Sequence, residues 1–236
     1  KKGEGKELAE MYDMRNSGAV AFSDGLLPLQ SSGLMLKALQ YVKAFDGVII
    51  QLPFDKNIAP NGLMHEGIIS AQIGLPGLPA LAEELCIQRD IELAAYTQSR
   101  IHFTGISTAK GLQLITAAKQ QGLNISCSVT PFHLSFCDED LKHYNTNLKV
   151  MPPLRTKADM LALRQCVLEE AIDCIATHHT PQDWDSKTCE FERAQPGMIG
   201  LQTAYSVVQT LLPQLLPQQI ANLFSIHPRH IFQLPS

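Results

Sequence analysis

The sequence predicts an α/β fold: a (β/α)₈ TIM barrel, with about six of the eight βα units in this chain. Three observations predict it. Near-continuous apolar segments alternate with amphipathic ones, the pattern of parallel strands covered by helices. Polar residues gather at the carboxyl end of almost every apolar segment, and long connections follow, as at the working end of a barrel. No glycine-rich phosphate loop follows any strand. GISTAKG (105–111) has neither a dinucleotide fingerprint nor the GK[ST] of a P-loop, which weakens the doubly wound alternative.

Taken in order, residues 6–16 read as a helix and GAVAFSDG (18–25) as an apolar strand ending in a turn. Residues 32–45 carry apolar positions at helical spacing, and GVIIQLP (47–53) is the next buried strand. Residues 54–75, with several glycines and prolines, read as an irregular connection into a helix over 77–91. RIHFTGIS (100–107) is a strand, 108–122 a helix and NISCSVT (124–130) a strand, with a short helix near 138–144. LKVMPP (148–153) reads as a strand, 157–171 as a helix and DCIATHH (173–179) as the last strand. Helices near 201–212 and 216–224 follow.

Composition narrows the function classes. A chain of 236 residues that is 45% hydrophobic can bury one full core. Its net charge of -4 comes with no basic stripe, which argues against nucleic-acid binding. The longest apolar runs fall short of the roughly 20 residues a membrane span needs. The opening KKGEGKELAE lacks the apolar region of a signal peptide. Six dispersed cysteines with no CxxC read as buried small hydrophobes in a reducing, cytoplasmic setting. The chain opens directly in a helix-like segment and ends at IFQLPS without an obvious cap, so a fragment of a longer protein is expected.

Several segments together resemble one family: GAVAFSDG, GLMHEGIISAQIGLPGLPALAEE, RIHFTGISTA, SCSVTPFHL, NLKVMPPLR, DCIATHHTPQ and FERAQPGMIGLQTAY. From about residue 3 to residue 234 the chain is similar to dihydroorotases of the multifunctional-complex class, in the cyclic amidohydrolase superfamily. PPLR (152–155) with PGMIGLQTA (196–204) carries most of the specificity. The resemblance implies a barrel of the metal-dependent hydrolase type. It also implies reversible hydrolysis of dihydroorotate to N-carbamoyl-aspartate in pyrimidine biosynthesis, with one or two zinc ions at the strand ends. The family's amino-terminal HxHxR strand and flanking β-sandwich segments do not occur here, so residues 1–236 are expected to form a partial barrel of a divergent, truncated member.

Residue by residue, the family's metal carboxylate matches Asp24, although an aspartate before glycine at a strand end reads more readily as a turn former. The ligand histidine of HxxHxST falls at Gly105, which has no side chain to offer. His102, three residues earlier, is expected by strand alternation to face the other way, either supporting the site from behind or serving packing. In TPFHL the ligand position is Phe132, with His133 beside it. Phe132 is expected to fill the space and His133 to bond outside it. The family's IATDHAPH reads IATHHTPQ here: His178 stands at the zinc-binding, proton-transferring aspartate, His179 matches a family histidine, and Gln182 replaces a substrate-contacting one. Imidazole can bind zinc or shuttle protons, but it does not reproduce an anionic carboxylate. Met151 replaces the substrate-binding asparagine before PPLR, and Gln51 a histidine. Cys137 reads as buried, while Glu83–Glu84 and Asp183, Asp185 and Lys187 read as solvated faces.

Two functions follow from the resemblance. One is a catalytically impaired barrel kept for assembly, through self-association or as a partner of aspartate carbamoyltransferase. The other is a working amidohydrolase on a small-molecule substrate, with an altered metal centre built from Asp24, His133, His178 and His179.

Overall fold

The structure, a computed structural model, describes residues 5–235. In chain order its elements are α1 (Met11–Asn16), α2 (Ser32–Lys43), β1 (Val48–Gln51), β2 (Met64–His65), α3 (Ile68–Ile73), β3 (Gly77–Leu78), α4 (Leu81–Thr97), β4 (Arg100–Phe103), α5 (Ala109–Gln120), β5 (Ile125–Val129), α6 (Pro131–Ser135), α7 (Lys157–Leu168), β6 (Cys174–Ile175), α8 (Trp184–Lys187), α9 (Ala204–Leu211), α10 (Pro217–Ala221) and α11 (His227–Ile231). Strands β1, β4, β5 and β6 pair in parallel in that order, and Phe22 extends the array through a parallel bridge to Ile49. Parallel neighbours need a crossover, and the helical segments between strands supply it. Ser31, Thr108, Thr130 and Thr156 start helices α2, α5, α6 and α7, each side chain accepting a backbone N–H three residues on.

Strand alternation sorts the two faces of the array. Ile49, Ile101, Phe103, Ile125, Cys127, Val129 and Ile175 join one apolar core with the helices, where Leu39, Ile87, Leu112 and Leu163 are fully or nearly buried. Each such large side chain contributes about 1.5–3 kcal/mol relative to exposure. The register puts Ile50, His102 and Ser126 in one row of the opposite face, toward the barrel axis. The amino-terminal end of the barrel is closed by the last helix. Ile231 O accepts from Arg100 Nη2 at 2.7 Å, Asp173 O lies 2.9 Å from His227 Nδ1, and the Phe232 ring packs edge-on to His102 at 5.4 Å.

Several expectations change. Residues 148–153 are not a strand: the segment holds Pro152 and Pro153, which have no N–H for a ladder, and β5 pairs directly with β6. Within 18–25 only Phe22 pairs. Residues 54–75 contain β2 and α3, and the helix expected from 77 starts at Leu81 because Gly77–Leu78 pairs with Met64–His65. Near 138–144 a 3₁₀ turn, Asp138–Leu141, replaces an α-helix. Among the described residues no helix is long and apolar enough to cross a membrane.

Candidate active site

The carboxyl ends of β4 and β6 bring Gly105 and His178 into contact. β4 stops at Phe103; Thr104 N donates to Gln51 O and Ile106 N to Ser128 O, and Gly105 between them turns left-handed at φ +71°. After β6 the chain turns again at His178, whose φ of +41° is rare for a side chain other than glycine. That turn aims the imidazole across the barrel mouth, where Nε2 meets Thr104 Oγ1 at 2.8 Å. A β-carbon on Gly105 would stand 2.4 Å from His178 Cε1. Burial alone holds the His178 pKa down to about 4, so the ring is neutral near pH 7.

A polar ladder runs from this ring down the inner face of the barrel. Ser126 Oγ meets His102 Nδ1 at 2.8 Å, His102 Nε2 meets Ser128 Oγ at 3.2 Å, and Ser128 Oγ donates to Thr104 Oγ1 at 3.1 Å. His178 Nδ1 is buried with no hydrogen-bond partner among the described residues. His102, expected to face away, lies on the same inner face as Thr104. The alternation count from 102 to 105 fails because β4 ends before Gly105. Both of its ring nitrogens are bonded, and burial lowers its pKa to about 4.

The other expected positions separate. Phe132 is buried with Val150 and Leu154. His133 turns away, Nδ1 to Thr130 Oγ1 at 2.8 Å and Nε2 to Pro152 O at 3.0 Å, and burial pushes its pKa down to about 3. Met151 packs against the cluster of Phe54, Leu78 and Ala82. Gln51 is buried and ties β1 to the backbone of Leu29 rather than facing the mouth. Gln182 Nε2 donates to Pro196 O at 3.0 Å, and His179 Nδ1 accepts from Gly200 N and Leu201 N. Asp24 is exposed in a turn, its carbonyl accepting from Leu27 N.

These positions do not fit zinc. Gly105 offers no donor, Phe132 is apolar, both nitrogens of His133 are bonded, and Asp24 faces solvent. Among the described residues no three His, Cys, Asp or Glu side chains converge to hold a metal ion. The cleft between Phe132, Met151 and His178 measures about 20 Å³, room for one water-sized molecule. Small-molecule sites run to roughly 300–1,000 Å³.

Glu83, expected on a solvated face, is 1% exposed. Its position four residues before Ile87 places it on the buried stripe of α4. Oε1 accepts from Ser107 N, Thr108 N and Thr108 Oγ1 at the start of α5, and Oε2 accepts from Ser107 Oγ. Arg155, from PPLR, completes the cluster: Nη2 lies 3.8 Å from Glu83 Oε2, Nε donates to Ser107 Oγ and Nη1 to Leu78 O. His65 sits beside Arg155, and burial, aided by that cation, lowers its pKa to about 4. Spacing alone distinguished Glu83 from its neighbour Glu84 in the sequence: Glu83 lies four residues before Ile87, on the apolar stripe. The six cysteines are free, and burial raises the Cys86 and Cys127 thiols to about 12, which disfavours a thiolate.

The parallel array wrapped by helices, with its departures from regular structure at the carboxyl ends of the strands, is part of a (β/α)₈ barrel. Solved structures share the fold. An L-hydantoinase (dihydropyrimidinase) from Arthrobacter aurescens superposes with a TM-score of 0.82 at 20% identity, over 95% of this chain and 53% of that one. A dihydropyrimidinase from Brevibacillus agri NCHU1002 gives 0.77 at 16%, over 93% and 51%. A family model described as Dihydro-orotase-like matches residues 2–111. The dihydroorotase of Pelotomaculum thermopropionicum is 42% identical over 234 residues, covering 98% of this chain and 55% of the relative. That of Streptomyces coelicolor is 43% identical over 208 residues, covering 87% and 49%. The chain is similar to these dihydroorotases along nearly all of its length, and it spans about half the length of the curated relatives it matches.

Proposed function

We propose that this chain is a cytoplasmic dihydroorotase-like protein of pyrimidine biosynthesis that does not itself hydrolyse dihydroorotate. Its role is then that of a structural or regulatory partner of aspartate carbamoyltransferase, or of a second copy of itself. The observation that carries the reading is the His178 ring lying where a side chain at Gly105 would project. Supporting it, Phe132 and Met151 close the remaining space, leaving a cleft far too small for a six-membered cyclic amide. The test pairs metal analysis of protein purified without chelator with a dihydroorotate hydrolysis assay and a co-sedimentation run with aspartate carbamoyltransferase. Substoichiometric zinc, no turnover and a stable complex are expected. Stoichiometric zinc with turnover overturns the reading.

One observation favours the second reading, a hydrolase with an altered centre: His178 Nδ1 is buried without a partner among the described residues. Against it, His133 and His179 spend ring nitrogens on backbone and Thr130, and Asp24 lies in an exposed turn. The same metal analysis separates the two.

A further inference from the structure

We infer that Gly105 and His178 are an interlocked pair: the imidazole at 178 and any side chain at 105 are mutually exclusive occupants of the barrel mouth. A β-carbon at 105 would lie 2.4 Å from Cε1, 3.2 Å from Nδ1 and 3.3 Å from Nε2 of the His178 ring. Separations below about 3.0 Å force something to move, and this ring is poorly placed to yield. Its Nε2 is held by Thr104 Oγ1 at 2.8 Å, and its backbone turns left-handed at φ +41° with the carbonyl accepting from Thr180 Oγ1. Phe132 and Met151 line the same narrow cleft as the ring.

The consequence goes beyond loss of a donor. The two positions offer alternative states of one site, a mouth plugged by the residue at 178 or one carrying a side chain at 105. A side chain at 105 meets two obstacles, the left-handed backbone at φ +71° and the facing ring. A single Gly105→His exchange therefore restores nothing. The same exchange together with His178→Asp, which shortens the facing side chain, has room. This interlock rests on contact geometry alone and stands whether or not the chain is catalytic.

A double-mutant cycle tests it: the protein, Gly105→Ala, His178→Ala and the double variant, each followed by urea unfolding. The strain of a left-handed alanine is common to both backgrounds and cancels. Gly105→Ala is expected to shift the unfolding equilibrium at least tenfold more in the presence of His178 than in its absence; a difference below tenfold overturns the inference. Should Gly105→Ala not fold, recovery of folded protein in the double variant supports the interlock. Failure of the double variant while His178→Ala alone folds overturns it. The same pattern is expected of Gly105→His, folded with His178→Asp and not without it.

Discussion

Gly105 and Ser107 are two residues apart in one loop, yet they belong to buried regions of opposite character. Ser107 joins Glu83, Thr108 and Arg155, where an anion and a cation face each other and hydroxyls and backbone N–H groups satisfy the carboxylate, while Arg155 Nη2 has no hydrogen-bond partner among the described residues. Gly105 joins Phe132, Met151 and His178, where the resemblance implies two histidine ligands, a substrate-binding asparagine and a zinc-binding aspartate. The difference lies in what each region holds. The first pins the start of α5 to α4 and to the PPLR loop, so losing one member would leave a charge buried alone. The second holds together by packing, Phe132 on Val150 and Leu154 and Met151 on Phe54, Leu78 and Ala82, with no ion pair in it.

The largest test of that contrast removes an ion from the first region. Glu83→Ala leaves Arg155 buried without its counter-ion and strips four hydrogen bonds from Ser107 and Thr108 at the start of α5. Stability is expected to fall by about 3–5 kcal/mol, read as a shift in urea unfolding. A loss within 1 kcal/mol would mean that the cluster is no more structural than the mouth.

Acid probes the second kind of region, where imidazoles are kept neutral. Burial lowers His102 to about 4 and His133 to about 3, below the ordinary value of about 6.5. Between those values the unfolded chain binds protons that the folded chain refuses. Stability is therefore complete above about pH 6.5 and declines as pH falls toward 4. At pH 5 each of these histidines is expected to cost about 2 kcal/mol. Asp90 and Asp138, raised by burial, act in the opposite sense. The check compares urea midpoints at pH 7.5 and 5.0 for the protein and for His133→Gln, which is expected to lose less on acidification. Identical losses would show that His133 is not held neutral.

The barrel was legible because its signal is periodic: the cores of β1, β4 and β5 and the bodies of α2, α5 and α7 fall where apolar spacing puts them. LKVMPP misled because an apolar run carries no information about its pairing partner, and two prolines removed the donors a ladder needs. At the site, the segments quoted as PPLR and IATHHTPQ located Arg155 and His178 without disclosing their partners. His178 reaches Thr104 across 74 residues and Glu83 reaches Ser107 across 24, separations that no local pattern encodes. His102 is the instructive miss. Alternation holds only while the strand lasts, and β4 ends two residues before the position being counted.

The smallest expected effect is the sharpest for the mouth. The resemblance matches Asp24 to the family's metal carboxylate, so a mouth that still works as a site should depend on it. Here its side chain is exposed, and the turn is held by its carbonyl to Leu27 N and by Ser23 Oγ to Gly25 N, neither of which uses the carboxylate. Asp24→Asn keeps the turn propensity and removes the charge. Surface exchanges of this kind change stability by about 0.5 kcal/mol or less, and that is the expected shift in urea midpoint, with zinc content unchanged from the parent protein. A fall in bound zinc on this one exchange would put Asp24 back at a metal and reverse the contrast between the two regions.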